Sequence, residues 1–135
     1  ANAEHYVRER SPNGFTMQTE IQLVLEYDGK FAGALSFHTL LLEEAKAEIG
    51  YWLTADTRGK GVATAATKLL TGYGFETIGF HRIEALVVES NKPSLKVLTN
   101  AGYIQEGVLR DKSCCADGSR EDMILFAALR HEWGV

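Results

Sequence analysis

The chain has 135 residues, of which 45% are hydrophobic and 24% are charged, and its formal net charge at pH 7 is −4. This length fits one compact domain, and no apolar run is long enough to span a membrane. The acidic balance argues against wholesale nucleic-acid binding, but it is compatible with a cationic partner such as an amine.

Two features of the chain bear on its location. Cys114 and Cys115, its two cysteines, are adjacent in a polar stretch, which fits neither a disulfide framework nor a zinc site. The N-terminal residues lack the charged, apolar and small-residue order of a signal peptide. We therefore predict a cytoplasmic protein that binds no metal.

The N-terminal half predicts a helix followed by an antiparallel sheet. The polar segment 4–10 is interpreted as a short helix, which Pro12 and Gly14 end. Three strand patterns follow, over residues 20–27, 31–38 and 47–54, and a turn at 28–30 joins the first two as a hairpin. Gly50, inside the third strand, indicates a bulge or a close backbone approach.

The C-terminal half predicts a main helix, a buried strand, a second helix and a closing hairpin. The main helix runs from Val62 to about Phe75, and apolar residues at helical spacing are expected to face the sheet. These residues are Ala66, Leu69, Leu70 and Tyr73. The remaining elements are a strand over 82–89, a helix over 91–103 that stops at Gly102, and hairpin strands over 103–111 and 120–129.

The glycine-rich segment 58–70, RGKGVATAATKLL, opens the main helix. Free backbone N–H groups and the positive end of a helix suit a phosphate group. A nucleotide-binding P-loop is a poor fit, because Val62 and Ala63 follow Gly61 where a lysine and a hydroxyl residue are needed. A dinucleotide fingerprint also fits poorly, because Thr64 stands where the third glycine is expected.

A different family accounts for this segment better. Arg58, Gly61 and Ala63 have the spacing [RQ]-x-x-G-x-[GA], which resembles the acetyl-CoA loop of the GNAT superfamily of N-acetyltransferases. A second motif resembles that family's N-x-x-[SA] helix ending in Gly-aromatic, at Asn91, Ser94, Gly102 and Tyr103. The stretches AEIGYWL, FHRIEALVVESN, EGVLRD and LRHEW further resemble the branch that acetylates N-terminal amines of ribosomal proteins, which also includes enzymes acting on other small amines.

The resemblance covers the chain from about Glu20 onward and implies its fold. We expect a single α/β domain over residues 1–135, with the GNAT-like acyl-CoA N-acyltransferase fold. Its sheet is mixed and mostly antiparallel, and helices flank it. Residues 20–135 form the acetyl-CoA-binding core. Residues 1–19 are a remnant of the acceptor-side helical region, so that part of the usual N-terminal strand and helices is lacking.

Acetyl-CoA is the cosubstrate that the resemblance implies. The central strand is expected to splay open at a bulge near residues 51–53 and to expose backbone groups for the pantetheine arm, while residues 59–63 hold the pyrophosphate. The side chains of Arg58 and Lys60 either add positive charge there or are merely solvated. The implied cofactor-binding residues are Tyr51, Trp52, Leu53, Arg58, Gly59, Lys60, Gly61, Val62, Ala63, Asn91 and Ser94.

An amine attacks the thioester only when it is neutral, so a base or a water chain must accept a proton. Glu48, at the start of the central strand, is the first candidate for this base because known glutamate bases of the family occupy a comparable place. Its alternative role is that of a solvent-facing strand residue. Glu89 and His38, each near a predicted strand end, are weaker candidates.

The departing thiolate needs a hydrogen-bond donor, and Ser94 can supply one. Many relatives carry a tyrosine four residues later, where this chain has Leu98, so that tyrosine acid is absent here. In the alternative interpretation Asn91 caps the helix and Ser94 is an idle residue of its first turn.

The predicted function is direct transfer of acetyl from acetyl-CoA to a primary amine, without a metal or a covalent enzyme intermediate. The acceptor is a protein N-terminus or a small amine. The alternatives are a non-catalytic CoA-binding module or pseudoenzyme with a regulatory role, and a purely structural domain. A homo-oligomer is compatible with the sequence, which does not specify the oligomeric state.

Overall fold

The computed structural model describes residues 3–10, 20–59 and 61–134 of the chain. Its strands are β1 (Ala3–Arg10), β2 (Glu20–Tyr27), β3 (Lys30–Leu41), β4 (Lys46–Leu53), β5 (Arg82–Val88), β6 (Ile104–Cys114) and β7 (Arg120–Leu129). They form one 7-stranded sheet in the order β1-β2-β3-β4-β5-β7-β6. β4 and β5 are parallel, whereas the other neighbouring strands are antiparallel. The predicted mixed, mostly antiparallel sheet is therefore confirmed.

The N-terminal segment differs from its prediction. Residues 4–10, predicted as a helix, belong to strand β1, which pairs with β2 from Ala3 opposite Tyr27 to Arg10 opposite Glu20. The outer edge of β2 carries backbone groups that need hydrogen-bond partners, and the central Tyr6 and Val7 favour strands, so tertiary pairing overrides the polar pattern. The remainder of the predicted acceptor-side helical region, residues 11–19, lies outside the described residues.

The hairpin of β2 and β3 follows its sequence pattern closely. The two residues between the strands, Asp28 and Gly29, have φ angles of 54° and 75°, which are the left-handed values that a tight two-residue hairpin turn requires. Ile21, Leu23 and Leu25 are buried at 6%, 2% and 1% exposure and alternate with partly buried residues, as a strand with one face on the core requires.

The two helices are α1 (Val62–Tyr73) and α2 (Lys92–Ala101). Buried apolar residues of both helices and of the strands form one cluster. A π-helical turn, Gly74–Ile78, extends α1, and Gly102 ends α2 with a φ of 102°. Both helices therefore lie on one face of the sheet, the helical face. Neither covers the other, open face. Within the described ranges, no helix is both long and apolar enough to cross a membrane.

The buried side of α1 includes Ala66 and Leu70, as predicted, but it lies further from Leu69 than expected. Leu69, expected to face the sheet, is 49% exposed, whereas Thr67 and Thr71 are fully buried. The reason is that α1 packs against α2 as well as the sheet: the Thr71 hydroxyl lies 2.7 Å from the Tyr103 hydroxyl, which follows α2. The buried stripe is therefore shifted towards the side of Thr67 and Thr71, and Leu69 lies outside it.

The predicted bulge at residues 51–53 is absent. The pairing of β3 with β4 is regular from Gly33 opposite Leu53 to His38 opposite Glu48, and its irregularity comes later, between His38 and Leu41. Gly50 instead provides space for a neighbour, because a Cβ atom there would lie 3.1 Å from the His38 ring nitrogen Nε2. The group that closely approaches Gly50 is therefore the His38 side chain and not another backbone segment.

The opening of the sheet has another origin. β4 pairs with β5 from Lys46 opposite Arg82 to Glu48 opposite Glu84, and there the pairing ends. β4 stays paired with β3 as far as Leu53, and β5 stays paired with β7 as far as Val88. The two strands therefore diverge because their outer partners hold them, and the predicted splay lies between β4 and β5.

On the open face, Arg82 links two strands that β7 separates. Its guanidinium donates hydrogen bonds of 3.0 and 2.6 Å to the Glu106 carboxylate and one of 2.8 Å to Glu84. These hydrogen bonds and charges lower the pKa of Glu106 below its usual value.

Glu106→Gln tests this link. A lowered folded-state pKa means that the carboxylate stabilises the fold above the ordinary carboxyl pKa of about 4.3, and that this contribution disappears as pH falls through the folded-state value. We expect the substitution to lower the free energy of unfolding by about 0.5–1 kcal/mol at pH 7 and by much less near pH 3. Urea unfolding at both pH values measures this, with exposed Glu76→Gln as control. An equal loss at both values would contradict an ionic contribution.

Candidate active site

A cleft of about 280 Å³ occupies the space between the diverging strands. β4 forms one wall, β5 forms the other, and the N-terminal turn of α2 closes the cleft on the helical face. The lining residues are Ile49, Gly50, Tyr51, Ala85, Leu86, Val87, Val88, Asn91, Ser94, Leu98 and Met123. Three predicted residues from two separate segments, Tyr51 of the central strand and Asn91 and Ser94 of the N-x-x-[SA] motif, thus lie in one cleft.

The backbone of β4 presents free hydrogen-bonding groups to this cleft. The Thr54 N–H donates to the Ala32 carbonyl of β3 at 2.8 Å. Since successive strand residues direct their backbone groups to opposite sides, the groups of Tyr51 and Leu53 point towards β5, which no longer pairs with them. A ligand with amides along its length could pair with this edge as an added strand does.

Trp52 lies differently from its neighbours in β4. Its side chain is 53% exposed, and its ring centroid is 5.6 Å from that of Phe31. It lines a second, smaller cavity together with Gln22 and Ser36, and this cavity adjoins the cleft at Gly50 and Tyr51. The Trp52 side chain does not line the cleft, so its assignment to cofactor binding stays a prediction.

A hydroxyl pair connects the two sides of the cleft. The Tyr51 hydroxyl of β4 lies 2.8 Å from the Ser94 hydroxyl of α2. Burial raises the pKa of Tyr51, and its hydrogen bond with Ser94 offsets part of that rise. The Asn91 side chain accepts a 3.3 Å hydrogen bond from the Ser94 backbone N–H and caps α2. Capping by Asn91 is therefore confirmed, and the Ser94 hydroxyl has a hydrogen-bonding partner across the cleft, while its role in catalysis stays a prediction.

A short 3-10 helix, Ala55–Thr57, separates the end of β4 from the turn that opens α1. Gly59 and Gly61 have φ angles of 76° and 73°, and a Cβ atom at either would meet nothing within 4 Å. No described side chain caps α1, and its first turn offers the N–H groups of Val62 and Ala63 without intrahelical acceptors. This bare, outward-facing set of donors at a positive helix end fits a diphosphate.

The structure does not place the two cations predicted beside this turn in contact with it. Arg58 is exposed, and no described contact fixes its side chain. Lys60 lies outside the described residues. The assignment of both to phosphate binding stays a prediction.

Candidate bases lie on the open face, in a row that crosses the sheet. Glu20 is opposite His38, His38 is opposite Glu48, and Glu48 is opposite Glu84. The Glu48 carboxylate is 3.9 Å from the His38 ring nitrogen Nδ1, whereas Glu84 is bound by Arg82. Glu48 stands at the apex of the cleft, where the β4–β5 pairing ends. Glu89 is exposed beyond the far end of β5, away from this apex.

The second wall of the cleft was not anticipated from the sequence. Leu86, Val87 and Met123 line it. Nothing in the local pattern of β5 distinguishes a strand that forms a cleft wall from one buried by neighbours on both sides. That role depends on where pairing with β4 stops.

Among the described residues, no group of three or more His, Cys, Asp or Glu side chains could hold a metal ion.

A cleft between two parting parallel strands, with a glycine-rich helix N-terminus next along the chain, fits an acyl-CoA-dependent acyltransferase. Residues 1–104 match the Acetyltransferase (GNAT) domain family. The chain belongs to this family, as its motifs predicted.

Three relatives place the chain within the family. YdaF of Bacillus subtilis (strain 168), a putative ribosomal N-acetyltransferase, is 35% identical over 113 residues, covering 84% of this chain and 61% of YdaF. RimJ of Mycobacterium smegmatis, solved in complex with CoA-disulfide, is 34% identical with a TM-score of 0.80, covering 87% of this chain and 56% of that structure. Spermidine N(1)-acetyltransferase of Escherichia coli (strain K12) is 26% identical over 116 residues, covering 86% of this chain and 62% of the enzyme. The chain thus spans about three fifths of the length of these relatives.

Substitutions at Gly61 test the phosphate-binding turn. Gly61→Asp places a carboxylate where the helix N-terminus offers donors to an anion, so we expect loss of thermal stabilisation by acetyl-CoA. Gly61→Asn has nearly the same bulk and tolerates a positive φ, so it should retain part of that stabilisation. Gly79→Asp is the matched control, because Gly79 has a φ of 93° and equally open space but lies far along the chain. Equal stabilisation of Gly61→Asp and the parent would refute the assignment.

Proposed function

We propose that the chain transfers the acetyl group of acetyl-CoA to a primary amine by direct attack. The observation that carries this proposal is the cleft itself. It has an unpaired strand edge and a hydroxyl pair on its helical side, and its β4 wall leads along the chain to the glycine-rich N-terminus of α1. These groups suit, in that order, an amide-bearing arm, a thioester sulfur and a diphosphate.

The proposed roles separate onto the two faces of the sheet. Tyr51 points towards α2 and its hydroxyl meets that of Ser94, whereas Glu48, an odd number of residues earlier on β4, points to the open face. An amine would therefore approach the thioester from the open face, and the sulfur would leave towards the helical face. Such a division keeps proton acceptance and leaving-group stabilisation from interfering with each other.

Acetyl-CoA supplies the activated acetyl group in this proposal. A C–N bond forms between the amine nitrogen and the acetyl carbon as the C–S bond breaks. Glu48, directly or through water, accepts the proton that the nitrogen loses, and the thiolate regains one proton from solvent. Ser94 donates a hydrogen bond to the sulfur as negative charge develops on it.

We propose a peptide or protein N-terminus as the acceptor. The α-amine has a pKa of roughly 8, against about 10.4 for a lysine amine, so it needs only a weak base such as a carboxylate. Arg82 occupies Glu84, and among the described side chains no arginine binds Glu48, the other carboxylate at the apex. The greater similarity to a putative ribosomal N-acetyltransferase than to a spermidine enzyme also supports this choice.

A polyamine is the second candidate acceptor. The row of Glu20, Glu48 and Glu84 places carboxylates on three strands of the open face, and such a row could bind a ligand with several positive charges. Direct comparison of acceptors separates the two classes. A regulatory CoA-binding module is distinguished from both, because it would be stabilised by CoA and release no thiol with any amine.

The acceptor prediction is tested by a thiol-release assay with matched substrates. We expect acetylation of short peptides that begin with Ala or Ser, and no acetylation when the same peptides carry a blocked α-amine and an internal lysine. Spermidine should react with a lower kcat/KM than the free peptides. A higher kcat/KM for spermidine than for every peptide would favour the polyamine candidate instead.

The role of Glu48 is tested against its neighbour in the row. Glu48→Gln should lower kcat about 10- to 100-fold with little change in acetyl-CoA affinity, and the deficit should shrink as pH rises to about 9.5 and more amine becomes neutral. Glu84→Gln is the control, because it removes a neighbouring carboxylate that Arg82 already occupies, and it should change the rate little. Steady-state rates measure both. If both variants behave alike, Glu48 has no special role.

A further inference from the structure

We infer that Tyr51 is a positioning residue that turns the Ser94 hydroxyl hydrogen towards the thioester sulfur. This inference rests on the proposed acetyl transfer and concerns the hydroxyl of Tyr51 rather than its backbone. The two hydroxyl oxygens are 2.8 Å apart, and they are brought together from β4 and α2, 43 residues apart in the chain. One hydroxyl must donate to the other.

The direction of this hydrogen bond decides what Ser94 can do. A hydroxyl has one hydrogen and two acceptor lone pairs. If Tyr51 donates to Ser94, the Ser94 hydrogen is free to point into the cleft. If Ser94 donates to Tyr51, it has nothing left to offer a sulfur. A negatively charged sulfur in the cleft favours the first arrangement, because the Tyr51 and Ser94 hydroxyls can then both donate in series.

The surroundings leave this task to Tyr51. Leu98, one helical turn after Ser94, is buried and lines the cleft without a polar group. The Ser94 backbone N–H is already held by Asn91, so α2 presents the Ser94 hydroxyl in a fixed place. Within the described part of the chain, the Tyr51 hydroxyl is the side-chain group that bonds to it.

Tyr51 is suited to donate a hydrogen bond and poorly suited to lose its proton. Burial raises its pKa above the ordinary tyrosine value of about 10, whereas a thiol has a pKa of about 8.5. Net transfer of a proton from this tyrosine to the thiolate is therefore uphill. Its effect on the rate should accordingly be the same across neutral pH, without a tyrosine titration in the profile.

The test is a double-mutant cycle on the hydroxyl pair. We expect Tyr51→Phe to lower kcat about 3- to 15-fold and Ser94→Ala about 10- to 100-fold, both evenly from about pH 6 to pH 9.5. The double variant should be no slower than Ser94→Ala, because Tyr51 acts through Ser94. Losses that multiply in the double variant, or a parent-like rate in Tyr51→Phe, would overturn the inference.

The fold offers a matched control for the loss of a buried tyrosine hydroxyl. Tyr103 is buried, and its hydroxyl lies 2.7 Å from that of Thr71, outside the cleft. Tyr103→Phe should lower the melting temperature and leave kcat unchanged. An equal fall of kcat in Tyr103→Phe and Tyr51→Phe would mean that the rate reports general loosening, which would also overturn the inference.

A binding measurement separates this inference from the proposed function. The pKa of the thiol of bound CoA is read from its ultraviolet thiolate absorbance, in variants that carry Cys114→Ser and Cys115→Ser to remove protein thiols. Donation by the hydroxyl pair should lower that pKa in the parent, and Tyr51→Phe and Ser94→Ala should each raise it. These pKa changes in a protein that does not turn over would support the inferred role of the hydroxyl pair and reject acetyl transfer. Turnover with an unchanged thiol pKa in Tyr51→Phe would support acetyl transfer and reject the inferred role of the pair.

Discussion

Parallel pairing between β4 and β5 lasts for three residue pairs and then stops, while each strand remains fixed to its outer neighbour. The resulting gap leaves backbone donors and acceptors unpaired inside the sheet, which is costly unless water or a ligand satisfies them. A sheet that paired throughout would have neither a cleft nor a free edge. The candidate site is thus a consequence of incomplete pairing, and a ligand with amide groups is the natural substitute for the missing strand.

The alternation of side chains along β4 determines which candidate catalytic groups lie on each face of the sheet around this gap. Tyr51 and Glu48 are close in the sequence, yet β4 sends them to opposite faces. Helices cover one of these faces, and neither described helix covers the other. Groups that stabilise a leaving sulfur can therefore be partly buried beside α2, while a carboxylate at the apex stays accessible to an incoming amine.

The position of α2 completes the site, and several contacts outside the cleft hold this helix. Asn91 caps its start, Gly102 ends it, and the buried ring of Tyr103 follows it. Trp133 packs edge-on against Tyr103 and Phe75 from the C-terminal end of the chain. Because these contacts fix α2 relative to the sheet, the Ser94 hydroxyl meets Tyr51 without any covalent link between the two elements.

Local patterns in the sequence determined most of the elements and one half of the site. The alternation in β2, the Asp28–Gly29 turn, the glycine turn before α1 and the Asn91 cap depend on neighbouring residues, so the sequence predicts them. Three features depended on partners far away in the chain. Residues 4–10 became a strand because β2 had a free edge, Leu69 was exposed because α1 packs against α2, and the cleft opened where β4 and β5 part. The Tyr51–Ser94 pair belongs to this second group: each residue was named from its own motif, but only the tertiary structure brought their hydroxyls together, since a hydrogen bond depends on distance in space and not along the chain.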